Sequence, residues 1–306
     1  MKRTSSTLAN LLRWILLVLL AGATIWMAWC WQRSPWIAAA GFALIVVAYS
    51  GALAYEFLEL RRVNRGDPVP QAEWTALVRA WLAETLQAPR VFGWRQPFRW
   101  HVIPDRFACE AGFSGRRGVV FIHGFVCNRG FWTPWLRQLR ESGHPFSAVN
   151  LEPVFGSIDD YVPIVEQAVA AMTLASGLPP VVVCHSMGGL AARAWLRAGR
   201  NGARVHHVVT IGTPHGGTWL ARRSRVANGR QMALASDWLR QLDKDSAALV
   251  LPPFTCWYSN CDNVVFPSTT ATLAGARNRL VVGAAHVDLA FHPKVMAATL
   301  SLLHRQ

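Results

Sequence analysis

The chain has 306 residues, of which 52% are hydrophobic, and its formal net charge is +14 at pH 7. This length provides for a membrane segment and one domain with a sizeable core. On charge alone, the basic balance suits a nucleic acid or an anionic membrane surface equally well. The chain has no zinc finger, basic zipper or RNP-type run, so we expect an anionic lipid surface as partner and no nucleic acid.

Two uncharged runs lie near the start of the chain, at residues 14–31 and 35–55. Each is long enough to cross a hydrocarbon core of about 30 Å, and tryptophans lie at their ends. We therefore predict a transmembrane helical hairpin over residues 1–60. A cleaved signal peptide is the alternative for the first run, although no small-x-small cleavage site precedes the second. A buried hairpin in a soluble core is the other alternative.

Basic residues beside the two runs predict the orientation of the hairpin. The outer flanks carry most of them, at Lys2, Arg3, Arg13, Arg61, Arg62 and Arg65. Only Arg33 lies at the tip, so the positive-inside rule places both flanks, and the domain that follows, in the cytoplasm. A periplasmic domain remains the alternative, because Cys256 and Cys261 would be able to pair in an oxidising compartment. The other four cysteines are Cys30, Cys109, Cys127 and Cys184, and the six together show no zinc-type spacing.

Residues 61–116 are interpreted as a linker and the N-terminal part of the soluble domain. The linker at residues 65–70 contains two prolines and a glycine. Five apolar residues then share one helical stripe: Trp74, Leu77, Val78, Trp81 and Leu82. The stripe predicts a helix packed on its own domain, with a helix lying at the membrane surface as the alternative. The aromatic segment 91–107, which prolines interrupt, is interpreted as short strands.

Strands and helices alternate from residue 117 onwards. Apolar runs predict strands at residues 117–124, 145–153, 179–186, 205–214, 254–260 and 278–286. Helices are predicted at residues 158–174, 187–199 and 293–303. Continuous β-branched runs separated by helices are typical of an α/β fold with a mostly parallel sheet and helices on both faces. Ligands bind beyond the carboxyl ends of such strands, where Gly124, Ser186, Thr213 and His286 are expected.

The stretch VVVCHSMGGL at residues 181–190 places Ser186 between a predicted strand and a predicted helix. A serine at such a corner is often an ordinary N-cap, but a strand–turn–helix elbow holds a nucleophile at the same position. Gly188 and Gly189 supply the small neighbours that the elbow needs on the helix side. On the strand side, Cys184 replaces the glycine of the G-x-S-x-G pattern, and we expect it to be a buried packing residue.

A nucleophilic serine needs a base, a residue that orients the base, and donors for the oxyanion. His286 is expected at the end of the last strand, and Asp262 follows the preceding strand. The chain order Ser186, Asp262, His286 is that of the α/β-hydrolase fold. Asp288 and His292 lie close to His286 in the sequence and are the alternative partners.

The chain resembles the α/β-hydrolase superfamily and, within it, the bacterial serine lipases and esterases. The resemblance covers residues 117–306 and rests on FIHGF (121–125), NLEPVFGSIDDY (150–161), CHSMGGLAAR (184–193), IGTPHGGT (211–218), YSNCDNVVFP (258–267) and AAHVDL (284–289). It implies an α/β-hydrolase fold, which the two predicted transmembrane helices would precede and anchor in a bacterial inner membrane. No H-E-x-x-H spacing is present, so we expect neither a zinc site nor a cofactor.

The resemblance also implies catalytic roles, residue by residue. It assigns Ser186 as nucleophile, His286 as general base and then acid, and Asp262 as the residue that orients His286. The turn at residues 123–124 implies an oxyanion hole formed by the backbone N–H groups of Phe125 and Met187, and such donors are each typically worth about 3–4 kcal/mol. We expect His185 to pack or to bond the backbone, and His215 to make a structural contact.

An insertion at residues 219–253 separates two of the predicted strands. It contains a loop with Arg222, Arg223, Arg225 and Arg230, followed by a helix with Met232, Leu234, Trp238, Leu239 and Leu242. The resemblance predicts a cap over the site, with its apolar face above an acyl pocket and its arginines on anionic lipid. A surface excursion packed on the domain is the alternative.

These observations predict a membrane-anchored serine hydrolase of the lipase or esterase type. It would cleave carboxylic esters of acyl lipids through an acyl-enzyme on Ser186. An acyltransferase or a thioesterase would use the same triad, because the outcome depends on the nucleophile that reaches the acyl-enzyme. A non-catalytic binding or scaffold protein with the hydrolase fold is the alternative from another functional class.

Overall fold

The computed structural model describes residues 6–107, 113–199 and 202–304 of the chain. Lys2, Arg3 and Cys109 lie outside the described residues. The chain begins with two long helices, α1 (Thr7–Trp31) and α2 (Pro35–Val63). Helix α3 (Trp74–Ala88), a π-helical segment (Pro89–Arg95) and the short helix α4 (Gln96–Phe98) follow before the first strand.

Helices α1 and α2 form an antiparallel hairpin with an apolar outer surface. Serine side chains cap both N-termini, since Ser6 accepts from the backbone of Ala9 and Ser34 from that of Ile37. By length and composition, both helices are able to cross a membrane. Only 11% of the most apolar stretch of α1, and 6% of that of α2, is buried. The alternative of a hairpin buried in a soluble core is therefore wrong.

The polar ends of the hairpin are tied to the following domain by hydrogen bonds. The Thr7 backbone N–H and hydroxyl donate to the Glu152 carboxylate at 2.8 and 2.6 Å. At the end of α2, the Asn64 amide donates to the Ser268 hydroxyl at 2.9 Å and accepts from the Ser268 backbone N–H at 3.2 Å. The hairpin thus has a defined orientation relative to the domain.

The domain is built on a six-stranded sheet in which every pair of neighbouring strands is parallel. Its strands are β1 (Val119–Ile122), β2 (Phe146–Ala148), β3 (Val181–His185), β4 (His207–Ile211), β5 (Phe254–Ser259) and β6 (Arg277–Val281), in the order β2-β1-β3-β4-β5-β6. Helices cover both faces, as the buried β-branched runs predict. The predicted α/β fold class is confirmed.

Side chains alternate between two core clusters, one on each face of the sheet. The first cluster is covered by α6 (Val162–Ser176), α7 (Met187–Gly199) and α9 (Asp237–Ala247). The second is covered by α5 (Thr133–Ser142), α10 (His286–Ala290) and α11 (Pro293–Leu300). This layering leaves the carboxyl ends of the strands to be covered by loops.

Two local predictions are wrong. Residues 91–107 do not form short strands, because the segment from Pro89 to Phe98 is helical. Proline is compatible with the first turn of a helix, where its missing N–H is not needed, and both Pro89 and Pro97 lie in such a turn. His286 does not end the last strand either: β6 ends at Val281, and His286 is the first residue of α10.

The apolar stripe predicted for α3 divides between two faces of the helix. Leu77, Ala80 and Glu84 are its buried residues. Trp81 is partly buried beside them. Four other apolar side chains form an exposed row at four-residue spacing: Trp74, Val78, Leu82 and Leu86. Helix α3 therefore packs on its own domain through one face and presents an apolar row to its surroundings through another.

Cys256 and Cys261 are both free thiols. Cys256 lies in β5 and Cys261 beyond its end, five residues along the chain, and the two belong to different buried clusters. Burial raises the pKa of each thiol to about 11. The pairing considered for a periplasmic domain is thus absent between these two residues.

The insertion at residues 219–253 contains α8 (Ala227–Gln231) and α9. Leu239 and Leu242 of α9 are buried in the core cluster that contains α7. Asp243 forms an ion pair at 2.6 Å with the buried Arg193 of α7. The apolar face of α9 therefore packs on the core of the domain, and the expectation that this face lies over an acyl pocket is wrong.

Candidate active site

Ser186 occupies a strained turn between β3 and α7. Its φ is +54°, in the left-handed region that non-glycine residues rarely adopt. The turn is held by backbone contacts to the next strand: Ser186 N–H donates to the Ile211 carbonyl at 2.9 Å, and the Thr213 hydroxyl donates to the Ser186 carbonyl at 2.8 Å. Strain of this kind is typical of the nucleophile elbow.

The helix side of this turn requires glycine. A Cβ on Gly188 would lie 2.3 Å from the backbone oxygen of Ile122, so no larger residue fits there without a shift of β1. On the strand side, Cys184 is completely buried, and burial raises the pKa of its thiol. A nucleophilic cysteine needs the opposite shift. Cys184 is thus a packing residue, as the sequence indicates.

The imidazole of His286 is paired with the carboxylate of Asp262. Nδ1 of His286 lies 2.9 Å from Oδ1 and 3.0 Å from Oδ2. The carboxylate is itself held in place, because Oδ1 also accepts from the backbone N–H groups of Val264 and Val265 at 3.0 and 2.8 Å. A carboxylate at Nδ1 keeps the proton of the neutral ring on that atom, so Nε2 remains available as the base.

The Asp262–His286 pair and the Ser186 elbow both lie beside the end of β4. A Cβ on Gly212, which follows β4 with φ of +57°, would lie 2.9 Å from Oδ2 of Asp262 and 3.1 Å from Nδ1 of His286. Ile211, the preceding residue, accepts the hydrogen bond from Ser186. Ser186, Asp262 and His286 therefore lie at the same edge of the sheet, although they are up to 100 residues apart in the chain. Asp262 and His286 are paired directly, whereas no hydrogen bond among the described residues joins the Ser186 hydroxyl to His286.

The electrostatic environment of His286 favours its charged form. Burial by itself would lower the pKa of the imidazole. The charge and hydrogen bond of Asp262, and the charges of Glu84 and Glu56, outweigh burial and raise that pKa above its usual value. An imidazole that takes up a proton more readily is a stronger base, and its protonated form is stabilised when a nucleophile transfers its proton.

Two backbone N–H groups lie next to the elbow. Met187 is the first residue of α7, where helical N–H groups have no partner within the helix. Phe125 precedes Val126, whose φ of +51° is unusual for a β-branched residue. Among the residues that the structure describes, neither N–H has a protein acceptor. Both are therefore free to donate to a ligand atom near Ser186.

Three other histidines have structural contacts. His185 stacks on Phe131 with 4.4 Å between ring centroids, and its Nε2 donates to the His286 carbonyl at 3.2 Å. Burial lowers the pKa of His123 to about 4, and its Nε2 accepts from the Leu151 backbone N–H at 3.0 Å. His215 lies 3.1 Å from the Thr210 hydroxyl. Asp288 and His292, the alternative partners, do not contact Nδ1 of His286, which faces Asp262.

Two carboxylates from the N-terminal helices reach the start of α10, which carries His286, and neither was expected from the sequence. Glu84 of α3 is buried and accepts from the Val287 backbone N–H at 3.1 Å. Glu56 of α2 accepts from the Asn263 amide at 2.7 Å, and the Asn263 side-chain oxygen accepts from the His286 backbone N–H at 3.2 Å. The available signal was an acidic residue on an otherwise apolar helix face.

A parallel sheet with a strained serine elbow at the carboxyl end of β3 defines an α/β hydrolase. Residues 119–299 match the model of the "Alpha/beta hydrolase family", and the chain belongs to that family. This match confirms the resemblance that the sequence motifs indicate. A search of curated proteins found no match.

Solved structures with the same fold include two lipases. The mature form of lipase BlEst2 from Bacillus licheniformis is 15% identical, with a TM-score of 0.55 over 62% of this chain and 92% of that chain. Lipase B from Aspergillus fumigatus is 18% identical, with a TM-score of 0.54 over 65% of this chain and 55% of that chain. At these identities the likeness establishes a common fold.

Proposed function

We propose that this protein is a membrane-anchored serine hydrolase that cleaves carboxylic esters of acyl lipids through an acyl-enzyme on Ser186. The observation that carries the proposal is the buried Asp262–His286 pair next to a serine in a strained elbow. The two structural neighbours named as lipases agree with an ester substrate.

In the first half of the proposed reaction, Ser186 becomes acylated. Nε2 of His286 takes the hydroxyl proton as Oγ of Ser186 attacks the ester carbonyl carbon. The carbonyl oxygen becomes an oxyanion, which the N–H groups of Phe125 and Met187 stabilise. The intermediate then collapses, the ester C–O bond breaks, and the proton on His286 goes to the alcohol that leaves. Asp262 stabilises the imidazolium throughout this step.

The second half of the reaction releases the acyl group as an acid. His286 removes a proton from a water molecule, and the resulting hydroxide attacks the acyl carbon through the same oxyanion. Collapse of this intermediate breaks the bond to Ser186, whose oxygen regains the proton from His286. The net reaction consumes one ester and one water and yields one alcohol and one carboxylic acid.

The proposed anchor is the hairpin of α1 and α2, with both of its ends on the cytoplasmic side. Its outer surface is apolar, and most of the arginines lie at its flanks, with only Arg33 at its tip. The exposed row of α3 begins with Trp74, which lies 4.3 Å from the Arg61 guanidinium near the end of α2. An apolar row beside a basic flank is typical of a helix at the membrane interface.

A serine-directed fluorophosphonate probe tests the proposal. Labelling of the wild-type protein and loss of labelling in Ser186→Ala are expected, together with loss of p-nitrophenyl ester hydrolysis. Ser301→Ala, a substitution at an exposed serine, is the matched control and should label normally. Folded Ser186→Ala with ester hydrolysis within about tenfold of wild type would contradict the assignment, because removal of the nucleophile typically costs far more. Free acid as the product distinguishes hydrolysis from transfer to an added alcohol.

A further inference from the structure

A cleft of about 330 Å³ lies between helix α5 and the segment that follows α3. None of its lining residues belongs to the candidate active site. Four of them are arginines: Arg95, Arg99, Arg137 and Arg140. Trp94 also lines the cleft. The basic residues therefore come from two separate parts of the chain and face a common space.

The arginines are held together without a compensating carboxylate. Thr133, Arg137 and Arg140 line the cleft from one face of α5, while the opposite face buries Trp135 and Leu136 in the core. Among the residues that the structure describes, no acidic side chain lines the cleft, and none of its four arginines is in an ion pair. Like charges at this spacing destabilise a helix unless an anion compensates them.

Arg95 has an unused hydrogen-bond donor at this site. Its Nη1 is buried and has no hydrogen-bond partner within the described part of the chain. The pKa of its guanidinium is lowered, mainly by burial and to a smaller extent by repulsion from Arg90 and Arg137. A buried donor without a partner costs free energy, and an anion in the cleft would offset the repulsion between the guanidinium groups.

The cleft lies beside the polar end of the first apolar helix. Arg13 of α1 donates to the Pro97 carbonyl at 2.7 Å, and its guanidinium lies 5.6 Å from the Phe98 ring. Phe98 in turn contacts Trp94 at 5.7 Å between ring centroids. Both residues are exposed, Phe98 to 40% and Trp94 to 57%. Exposed aromatic rings next to the end of an apolar helix are typical of the headgroup level of a bilayer.

We propose that this cleft binds the phosphate group of an anionic lipid, such as phosphatidylglycerol. Planar guanidinium groups bind phosphate oxygens in pairs, and four of them surround the space where a phosphate would lie. The choice of a lipid rather than free phosphate rests on the membrane anchoring proposed above. The site is separate from Ser186, so it would hold a lipid that is not being cleaved.

Direct binding to the full-length protein in an uncharged detergent tests this proposal. The Ser186→Ala variant serves as the background, because it cannot turn the lipid over. Calorimetric titration with a short-chain dialkyl-ether phosphatidylglycerol should show saturable binding. Exchange of the two exposed arginines, Arg99→Gln with Arg137→Gln, should weaken binding by about tenfold or more, since each basic residue near an anionic lipid contributes appreciably. The matched control, Arg277→Gln with Arg279→Gln, removes the same charge from β6 and should bind normally.

Two further ligands show which part of the lipid the cleft recognises. The corresponding dialkyl glycerol, which has no phosphate, should not bind, and inorganic phosphate should bind much more weakly than the lipid. Equal binding of inorganic phosphate would overturn the lipid assignment. Equal affinity of the two double variants for the lipid would show that the cleft is not the binding site. When Ser186 is kept, the protein with Arg99→Gln and Arg137→Gln should hydrolyse a soluble ester at the wild-type rate. Failure of this proposal is therefore distinguishable from failure of the proposed hydrolase activity.

Discussion

The carboxylate of Glu84 accepts a hydrogen bond at 3.1 Å from the backbone N–H of Val287, the residue after the proposed general base. It accepts a second one at 3.3 Å from Asp288. Burial raises the pKa of Glu84 to about 7. Glu84 belongs to α3, which lies outside the sheet and its covering helices, so a helix near the hairpin positions the first turn of the helix that carries His286.

Glu84→Gln is expected to lower kcat by about tenfold, because the amide keeps one accepting oxygen but loses the charge that strengthens the hydrogen bonds from Val287 and Asp288. It should also change the pH dependence of kcat/KM. The charge of Glu84 contributes to the raised pKa of His286, and only the unprotonated imidazole acts as a base. Without that charge the pKa of His286 falls, so the acid limb of the pH profile should move to lower pH.

The exposed Glu73, at the N-terminus of α3, provides the matched control. Glu73→Gln should leave both kcat and the pH profile unchanged. If Glu84→Gln lowers kcat while the acid limb stays in place, Glu84 has only a structural role.

Asp262→Asn is expected to lower kcat on the order of 10⁴-fold, the effect of the equivalent change in a serine protease, because it favours the wrong imidazole tautomer. Asp288→Asn should have a mild effect, since Nδ1 of His286 faces Asp262. Steady-state kinetics of the two purified variants measure the difference. A larger loss in Asp288→Asn would show that the partner of His286 is misassigned.

The hairpin predicts a cytoplasmic catalytic domain in a bacterial host. A fluorescent protein fused after Gln306 should fluoresce, whereas an alkaline phosphatase at the same point should be inactive, because it needs an oxidising compartment. Activity of both fusions measured in intact cells is the test. Strong phosphatase activity with a dark fluorescent fusion would reverse the proposed topology.

Helix α9 is expected to contribute to the stability of the domain. Leu242→Ala removes a fully buried side chain from the cluster shared with α7 and should lower the free energy of unfolding by about 2–5 kcal/mol. Denaturant unfolding measures the loss. Leu234→Ala, at an exposed position of the same insertion, should have little effect. Unchanged stability in Leu242→Ala, with altered acyl-chain selectivity, would favour a mobile cap instead.

The arginine loop of the insertion is expected to act on lipid substrates specifically. Arg222, Arg223 and Arg225 are exposed, and Arg62 at the end of α2 lies 5.1 Å from the neighbouring Trp219 ring. Replacing the three by Gln should therefore weaken hydrolysis of anionic vesicles, with roughly 1 kcal/mol lost per residue. Hydrolysis of a short soluble ester should hardly change. Equal losses on both substrates would show that these arginines support the fold.

The sequence is informative wherever a feature depends on neighbouring residues. The apolar strand followed by Ser186, Met187 and two glycines predicts the elbow, because the turn is a local conformation. Asp262 and His286 follow the elbow along the chain. Both are predicted at the same edge of the sheet as Ser186, because parallel strands share a common direction. The structure of the segment from Pro89 to Phe98 does not follow from its sequence in this way, because aromatic residues and prolines are compatible with several local structures.

Local sequence is enough to predict the α/β class, the apolar hairpin and the serine elbow, because these features arise from periodicity and from residues a few positions apart. The chain order of Ser186, Asp262 and His286 adds the expected pairing of the last two. The residues that hold the start of α10, and the arginines that face one another, are defined only by the tertiary structure. Glu84 and Val287 are separated by 203 positions, and Arg95 meets Arg137 across two helical segments. Such contacts depend on how complete helices pack, because a buried carboxylate or guanidinium acquires its partner from whichever surface covers it.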